Sequence, residues 1–199
     1  MSIVYIDDKI DNSLSKYLDR FEYEDFEYST TELQFEDRHT DFTVLLEEQA
    51  VAEADIVIID SKLFEEGNVT EKFSGEEFKI IFKAAHPFSK IFVMSQNEGS
   101  DSLGTIKKYD SRNIIEKPAE VYYDEVLKTK ISSASCEILQ RRRIFNKLKN
   151  NSEFYKGSTI VEKIDSMMEG SPRFKDLTDD KIDELISLVE STIKPQILD

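Results

Sequence analysis

Hydrophobic and polar positions follow two different periods in the first part of the chain. Short apolar runs rich in β-branched residues predict buried strands, and one segment that alternates apolar with acidic residues predicts a strand near the sheet edge. The predicted strands span 2–6, a part of 21–36, 55–59, 90–94 and 112–116. Between them, apolar residues recur at helical spacing, which predicts helices between the strands. Strands that alternate with helices predict a parallel sheet covered on both faces.

The predicted helices have recognisable ends. Asp11 or Asn12 is expected to cap a helix that runs to about Leu18, because a side-chain oxygen there can accept from the first free N–H groups. The other helices of this part are expected over 42–53, 76–85 and 101–109. The fold class that follows is α/β, a doubly wound five-stranded parallel sheet.

From residue 120 onward the strand signals stop. A stripe with near-heptad steps, interrupted by an arginine, predicts one helix over 120–149, roughly 45 Å long. The stripe consists of Leu127, Ile131, Ala134, Ile138, Arg141, Phe145 and Leu148. It either packs against later helices of the same chain or forms a two-stranded coiled coil or a bundle with a second copy. Two shorter helices are expected over 158–169 and 178–195. We therefore divide the chain into an α/β domain over 1–126 and an all-α extension over 127–199.

Composition and charge limit the classes of protein to which this chain can belong. The 199 residues are 39% hydrophobic and 34% charged, with a net charge of -15. Residues 1–119 hold 26 acidic and 13 basic residues, a balance of -13. Such a surface repels nucleic-acid phosphates and anionic lipid but attracts divalent cations. With no long apolar run and no signal-peptide pattern at the N-terminus, we expect a cytoplasmic protein without a membrane span.

Three single residues carry expectations of their own. The lone cysteine, Cys136, is expected to be a small core residue without a disulfide partner. His39 and His86 lie in predicted loops and are expected to be solvated. Two isolated histidines indicate neither a metal cluster nor a phosphotransfer helix.

Four predicted strands each end on a polar residue suited to phosphoryl chemistry. These strand ends are Asp7-Asp8, Asp60, Ser95 and Lys117-Pro118. The carboxyl ends of parallel strands meet at one edge of the sheet, so these side chains are expected to converge. Three carboxylates repel each other unless a cation lies between them, and Mg²⁺ prefers such oxygen ligands. The carboxylate of Asp60 is then a nucleophile for a phosphoryl group, while Ser95 and Lys117 bind its oxygens. Pro118 fixes the chain beyond Lys117.

These motifs make residues 1 to about 130 resemble the receiver domain of bacterial response regulators, the CheY-like fold. The resemblance implies a phosphoacceptor at Asp60, and Ser95 and Lys117 in contact with the phosphoryl group. It also implies Mg²⁺ held by Asp7, Asp8, Asp60 and the backbone carbonyl of Lys62. The implied partner is a histidine kinase or phosphotransfer protein, and the only implied enzymatic activity is the protein's own phosphorylation and dephosphorylation.

The chain departs from the receiver pattern, and three of the departures bear on the alternatives. The stretch from Ser61 to Gly75 is long, Gln96 follows Ser95 where a small residue is usual, and Ile114 replaces the common aromatic residue. These departures motivate one alternative, a receiver-like interaction or dimerisation module that is not phosphorylated. A second alternative is a DNA-binding regulator that uses the basic run 141–143, which the overall charge disfavours.

Overall fold

Five parallel strands form a single sheet in the order β2-β1-β3-β4-β5. The computed structural model describes residues 1–23, 26–36, 39, 41–63, 74–96, 104–110 and 117–150, without the side chains of 148–150. The strands are β1 Ser2–Asp7, β2 Ser29–Gln34, β3 Ile56–Asp60, β4 Lys90–Ser95 and β5 Ile106–Lys107. The predicted α/β class with a doubly wound five-stranded parallel sheet is confirmed, as is the edge position of the strand within 21–36.

Helices connect the strands close to the predicted positions. They are α1 Asn12–Asp19, α2 Phe42–Glu47, α3 Gln49–Ala52 and α4 Gly75–Ala85. Asp11 caps α1 by accepting from the Ser13 N–H at 2.8 Å, as the sequence predicted. Ser74 and Glu77 form a reciprocal capping box at the start of α4. The single helix expected over 42–53 is instead two short helices, because Glu48 has an extended ψ of 125°.

The two faces of the sheet bury two separate apolar clusters. On one face, Ile3, Tyr5 and Ile58 pack with residues of α1 and of the helix that follows residue 118. On the other, Val57 and Ile59 pack with residues of α2, α3 and α4. Successive strand residues point to opposite faces, so the short β-branched runs supply both clusters. Each fully buried aliphatic side chain contributes about 1.5–3 kcal/mol to stability.

A long helix covers one face of the sheet. It comprises α5 Ala119–Tyr123, a π-helical turn Asp124–Lys128 and α6 Thr129–Asn150, which confirms the helix predicted over 120–149. The stripe residues Leu127, Ile131, Ala134, Ile138 and Phe145 are buried. The first four belong to the same cluster as Ile3 and Ile58, so the stripe packs on the chain's own sheet. Neither expected arrangement included packing on the sheet, and residues 151–199, where the later helices were expected, lie outside the described residues.

The C-terminal part of the long helix is fastened to the amino edge of the sheet. Arg142 forms an ion pair with Asp55 at 2.5 Å, and Arg141 donates to the carbonyl of Pro87 at 3.0 Å. Glu137 pairs with Lys90 at 2.6 Å. Asp55, Pro87 and Lys90 lie at or before the starts of β3 and β4. Two of the three arginines in the basic run therefore bind the chain itself.

The last strand differs from the prediction. A helix was expected over 101–109, yet Ile106–Lys107 form β5, which pairs with the end of β4. Gly104 precedes it with a φ of +65°, a conformation that a right-handed helix does not contain. The strand predicted over 112–116 lies outside the described residues. So do the helices expected over 158–169 and 178–195.

The burial expected for three single residues was wrong. Cys136 is exposed on the long helix, whereas His39 and His86 are buried. His39 accepts from the Glu36 N–H at 2.9 Å through Nδ1. His86 stacks on Phe82 with ring centroids 4.8 Å apart, and burial lowers its pKa. Among the described residues, no helix is long and apolar enough to cross a membrane.

Candidate functional site

A cavity of about 340 Å³ lies at the carboxyl edge of the sheet. The ends of β1, β3 and β4 bring Asp7, Asp8, Asp60 and Ser95 to its wall, together with Lys62 and Gln96. Asp60 pairs with Met94 in the β3–β4 register, so its neighbour Ser95 ends the adjacent strand. The convergence of these strand ends, expected from the sequence, is therefore present in the fold.

Three carboxylates form an acidic triad in the cavity wall. Asp7 and Asp60 are 1% and 7% exposed, and Asp8 is half-buried. One oxygen from each of Asp7, Asp8 and Asp60 lies within 4.8 Å of the others. Carboxylate oxygens in such a group suit a hard divalent cation. The triad could therefore hold a metal ion.

A buried lysine that sequence reasoning did not single out bridges two carboxylates of this triad. The Nζ of Lys108 lies 2.6 Å from Asp7 Oδ2 and 2.7 Å from Asp60 Oδ1, and the residue is 6% exposed. Burial lowers the pKa of Lys108, but the charges and hydrogen bonds of Asp7 and Asp60 outweigh it and raise that pKa overall. Lys108 is therefore an ammonium ion within the site at neutral pH.

Strand β5 places Lys108 there. Ile106 is buried in the core, Lys107 is exposed and Lys108 is buried again, which is the alternation of a strand. The Lys108 N–H donates to the Ser95 carbonyl at 2.7 Å and extends the pairing of β5 with β4. The sequence signal for Lys108 is this alternation over three residues, which is too short to outweigh the helical spacing around it.

Lys117, the lysine expected at the site, lies elsewhere. Its Nζ is 2.5 Å from Glu125 Oε2 on the long helix, with the two side chains 39% and 56% exposed. Its carbonyl accepts from the Tyr109 hydroxyl at 2.7 Å. Lys117 does not line the cavity that holds Asp60. The structure thus brings together the predicted Asp7, Asp8, Asp60, Ser95 and Lys62, but not Lys117.

Asp7 is held by groups on its own strand and loop. The Tyr5 hydroxyl donates to Asp7 Oδ2, and the Lys9 N–H donates to Oδ1 at 3.1 Å. The Asp11 N–H in turn donates to the Tyr5 hydroxyl at 3.1 Å. Burial and the charge of Asp7 raise the pKa of Tyr5, so its hydroxyl stays a donor. Tyr5 was not expected at the site, because a tyrosine within a buried strand is predicted only to be part of the hydrophobic core.

Asp60 is oriented by the loop that follows it. The Lys62 N–H donates to Asp60 Oδ2 at 2.9 Å. Burial raises the pKa of Asp60, and the charge of Asp7 adds to the rise, while Lys108 opposes both. Gly75 packs so closely that a Cβ there would lie 2.2 Å from the Asp60 carbonyl oxygen. The glycine that ends the long stretch after Asp60 is therefore required by the close approach of α4.

A second polar network lies beside the end of β3. The Ser61 hydroxyl donates to the Glu76 carboxylate at 2.8–2.9 Å, and Thr105 donates to the same carboxylate at 3.2 Å. Glu76 lies in the first turn of α4, where the helix dipole favours a negative charge. This network fixes α4 and the approach to β5 around the cavity.

No family model matches this chain, and a search of curated proteins finds none with significant similarity. The described geometry is compatible with the flavodoxin- and CheY-like arrangement of a five-stranded parallel sheet with flanking helices. The class that fold and site define is an α/β protein with a triad of carboxylates, able to hold a cation, at the carboxyl edge of its sheet.

Proposed function

We propose that this chain is the phosphoacceptor receiver of a two-component-type signalling system, phosphorylated on Asp60. One observation carries the proposal: a carboxylate at the end of a central strand shares a cavity with two more carboxylates, a buried ammonium and a hydroxyl. In doubly wound folds, ligands bind at this edge of the sheet, where the strand order reverses. In the order β2-β1-β3-β4-β5 the reversal falls between β1 and β3, which end in Asp7 and Asp60.

The residues present suit phosphoryl transfer from a phosphohistidine of a partner kinase or phosphotransfer protein. An oxygen of Asp60 forms a bond to phosphorus as the N–P bond of the donor breaks, and the imidazole nitrogen keeps the electron pair and takes up a proton. The cavity of about 340 Å³ has room for the phosphoryl group. Positioning and charge neutralisation supply most of the catalysis in such transfers.

A divalent cation fits the donor set of this site. Asp7, Asp8, Asp60 and the backbone carbonyl of Lys62 would hold it, all four residues being in the cavity wall. When bound, such a cation neutralises the charge that builds up on the phosphoryl oxygens. Asp7 Oδ2 accepts from both Tyr5 and Lys108, whereas Asp7 Oδ1 accepts only from the Lys9 N–H in the described hydrogen bonds. Of the two Asp7 oxygens, Oδ1 therefore has a lone pair for a cation.

Within this proposal, Lys108 takes the part that the sequence suggested for Lys117. Its ammonium lies beside the acceptor oxygen of Asp60, where it can bind a phosphoryl oxygen once the acceptor's negative charge has passed to the phosphate. Ser95, also in the cavity wall, supplies a hydroxyl. Phosphorylation would then draw Lys108 and β5 toward the phosphate and alter how the adjoining long helix meets a partner.

The direct test is phosphorylation with a small phosphodonor. Wild type and Asp60→Asn would be incubated with acetyl phosphate and Mg²⁺, and intact mass measured before and after mild acid or base treatment. We expect one labile phosphoryl group in wild type and none in Asp60→Asn. Asp55→Asn serves as a matched control, since Asp55 is equally buried but lies at the opposite edge of the sheet. An unlabelled, folded wild type would refute the proposal, and so would labelling that survives in Asp60→Asn.

A second candidate function, a receiver-like docking module that is not phosphorylated, is favoured by one specific observation. Lys108 already pairs with both Asp7 and Asp60, so part of their negative charge is neutralised without a metal ion. Gln96 also lines the cavity, beside Ser95, where a smaller residue would leave more room. If this second function is the right one, the folded protein will carry no phosphoryl group after incubation with acetyl phosphate at any Mg²⁺ concentration.

A further inference from the structure

A second groove, of about 950 Å³, lies between the end of α1 and the start of β2 and shares no lining residue with the cavity at Asp60. Four aromatic residues line it: Phe21, Tyr23, Phe26 and Tyr28. The rings of Tyr23 and Phe26 are stacked at 25° with centroids 6.3 Å apart, and those of Phe26 and Tyr28 are 6.0 Å apart. We refer to these four rings and the carboxylates beside them as the aromatic groove.

The aromatic groove is built into the fold. Phe21 is buried in the core and meets Tyr28 edge-on at 4.9 Å. The Tyr28 hydroxyl is hydrogen bonded to Ser135 of the long helix at 3.0 Å. The Phe26 N–H donates to the Tyr23 carbonyl at 2.9 Å, which joins these two residues. Tyr23 and Phe26 remain half-buried, so their rings form a preorganised surface that a ligand can contact.

The charge around these rings is negative. Asp19, Glu22 and Glu27 line the aromatic groove and are exposed. Among the described residues, the cation in its wall is Lys128, whose Nζ is 3.4 Å from Asp124 on the same helix. Aromatic faces attract cations, most strongly arginine, and neighbouring carboxylates add to that attraction. The chemistry of the aromatic groove therefore fits a guanidinium group.

We propose that the aromatic groove binds an arginine side chain on an extended segment of a partner protein. The extended form follows from the neighbouring edge strand. Among the described residues, β2 pairs only with β1, and its residues Ser29, Thr31, Glu32 and Gln34 are exposed. An extended peptide can add to such an edge through main-chain hydrogen bonds. The segment then places one arginine in the aromatic groove, just before the first residue of β2.

Charge complementarity selects the partner. The whole chain carries -15, which opposes the binding of nucleic acids and acidic peptides and favours a basic segment. Tyr23 and Phe26 supply the specific part of the interaction, since a diffuse negative surface does not distinguish a guanidinium from another cation. This site is independent of phosphorylation at Asp60, so either proposal can fail alone.

The test uses the full chain and a short fluorescein-labelled peptide in which Arg and Thr alternate. A control peptide carries citrulline, a neutral isostere, in place of each arginine. Fluorescence anisotropy would be measured for wild type, Tyr23→Ala, Phe26→Leu and Glu27→Gln. The matched charge control is Glu53→Gln, because the exposed Glu53 bonds only Gln49 by its side chain in the described hydrogen bonds and does not line the aromatic groove.

We expect the arginine peptide to bind wild type at least tenfold more tightly than the citrulline peptide. Tyr23→Ala and Phe26→Leu should each weaken binding roughly fivefold to tenfold, and Glu27→Gln should weaken it and reduce its salt dependence. Glu53→Gln should bind within about twofold of wild type. Circular dichroism verifies that each variant is folded. Equal binding of both peptides, or equal losses in Glu53→Gln and the aromatic variants, would overturn the proposal.

Discussion

At the scale of the residue, Lys108 is the ammonium that pairs with the two buried carboxylates of the site. Replacing it with methionine keeps the length of the side chain but leaves Asp7 and Asp60 without their ammonium partner. Removing one member of a buried charge group costs about 3–5 kcal/mol, because an uncompensated charge remains. We expect Lys108→Met to lower the free energy of unfolding by about 3 kcal/mol at pH 7, measured by urea denaturation.

The matched control for that variant is Lys117→Met, the substitution of the lysine expected from sequence. Lys117 pairs with Glu125 where both side chains are well exposed, and such pairs contribute about 0–0.5 kcal/mol. A larger loss of stability in Lys117→Met than in Lys108→Met would contradict the ion pairs described for the two lysines. It would then favour Lys117, the lysine predicted from sequence, as the ammonium of the site.

The two lysines show which part of the site could be predicted at this scale. Asp7, Asp60 and Ser95 each follow an apolar run of four residues, which is long enough to predict a buried strand. Their convergence therefore follows from local pattern and parallel topology. Lys108 follows a strand of two residues, over which neither period can be recognised. The ammonium of the site was consequently assigned to the lysine nine positions later, which follows a longer apolar run.

At the scale of the element, the long helix is anchored to the sheet by the basic run at its C-terminal part. Arg142 is 32% exposed and Asp55 11% exposed in their ion pair, and Asp55 also accepts from the Ser2 N–H at 2.8 Å. We expect Arg142→Met to lower the free energy of unfolding by about 1 kcal/mol, a value between those of surface and buried pairs. High salt should reduce the difference from wild type. Chemical denaturation at two ionic strengths measures both.

Arg143 provides the control on the same turn of the helix. It is exposed, so Arg143→Met should change stability by less than about 0.5 kcal/mol. The same variants address the DNA-binding alternative, because a helix that used its basic run for DNA would lose affinity in Arg143→Met as in Arg142→Met. Equal stability losses in the two variants would show that the pairing of Arg142 with Asp55 does not anchor the helix.

The helical stripe shows what a periodic pattern predicts for an element and what it leaves open. Apolar residues at steps of three and four predicted a continuous helix over 120–149, which agrees within one residue at each end with the observed Ala119–Asn150. The same steps describe a seam with another helix and a face that packs on a sheet, because both bury one side of the helix. Only the position of the helix above Ile3 and Ile58 decides between them, and that depends on tertiary packing rather than on the stripe.

At the scale of the whole molecule, the net charge of -15 opposes folding, because compaction brings like charges together. Added salt screens this repulsion, so NaCl should raise Tm without any specific site. A divalent cation held by Asp7, Asp8 and Asp60 adds a second contribution, since binding to the folded state alone stabilises it. At tenfold its dissociation constant, a cation contributes about 1.4 kcal/mol, or about 3–6 °C in Tm for a chain of this size.

The two contributions separate when MgCl₂ and NaCl are compared at equal ionic strength. We expect Mg²⁺ to raise the Tm of wild type beyond the NaCl value, and Asp8→Asn to remove that excess while it keeps the screening effect. Asp8 is the member of the triad suited to this test, since it is half-buried and Lys108 pairs with the other two. The control is Glu53→Gln, which removes one exposed charge away from the triad. Asp41→Asn would be a poor control, because Asp41 caps α2 and its loss would itself lower Tm. An excess that persists in Asp8→Asn would assign the effect to the acidic surface as a whole, and the triad would then have no selective affinity for the cation.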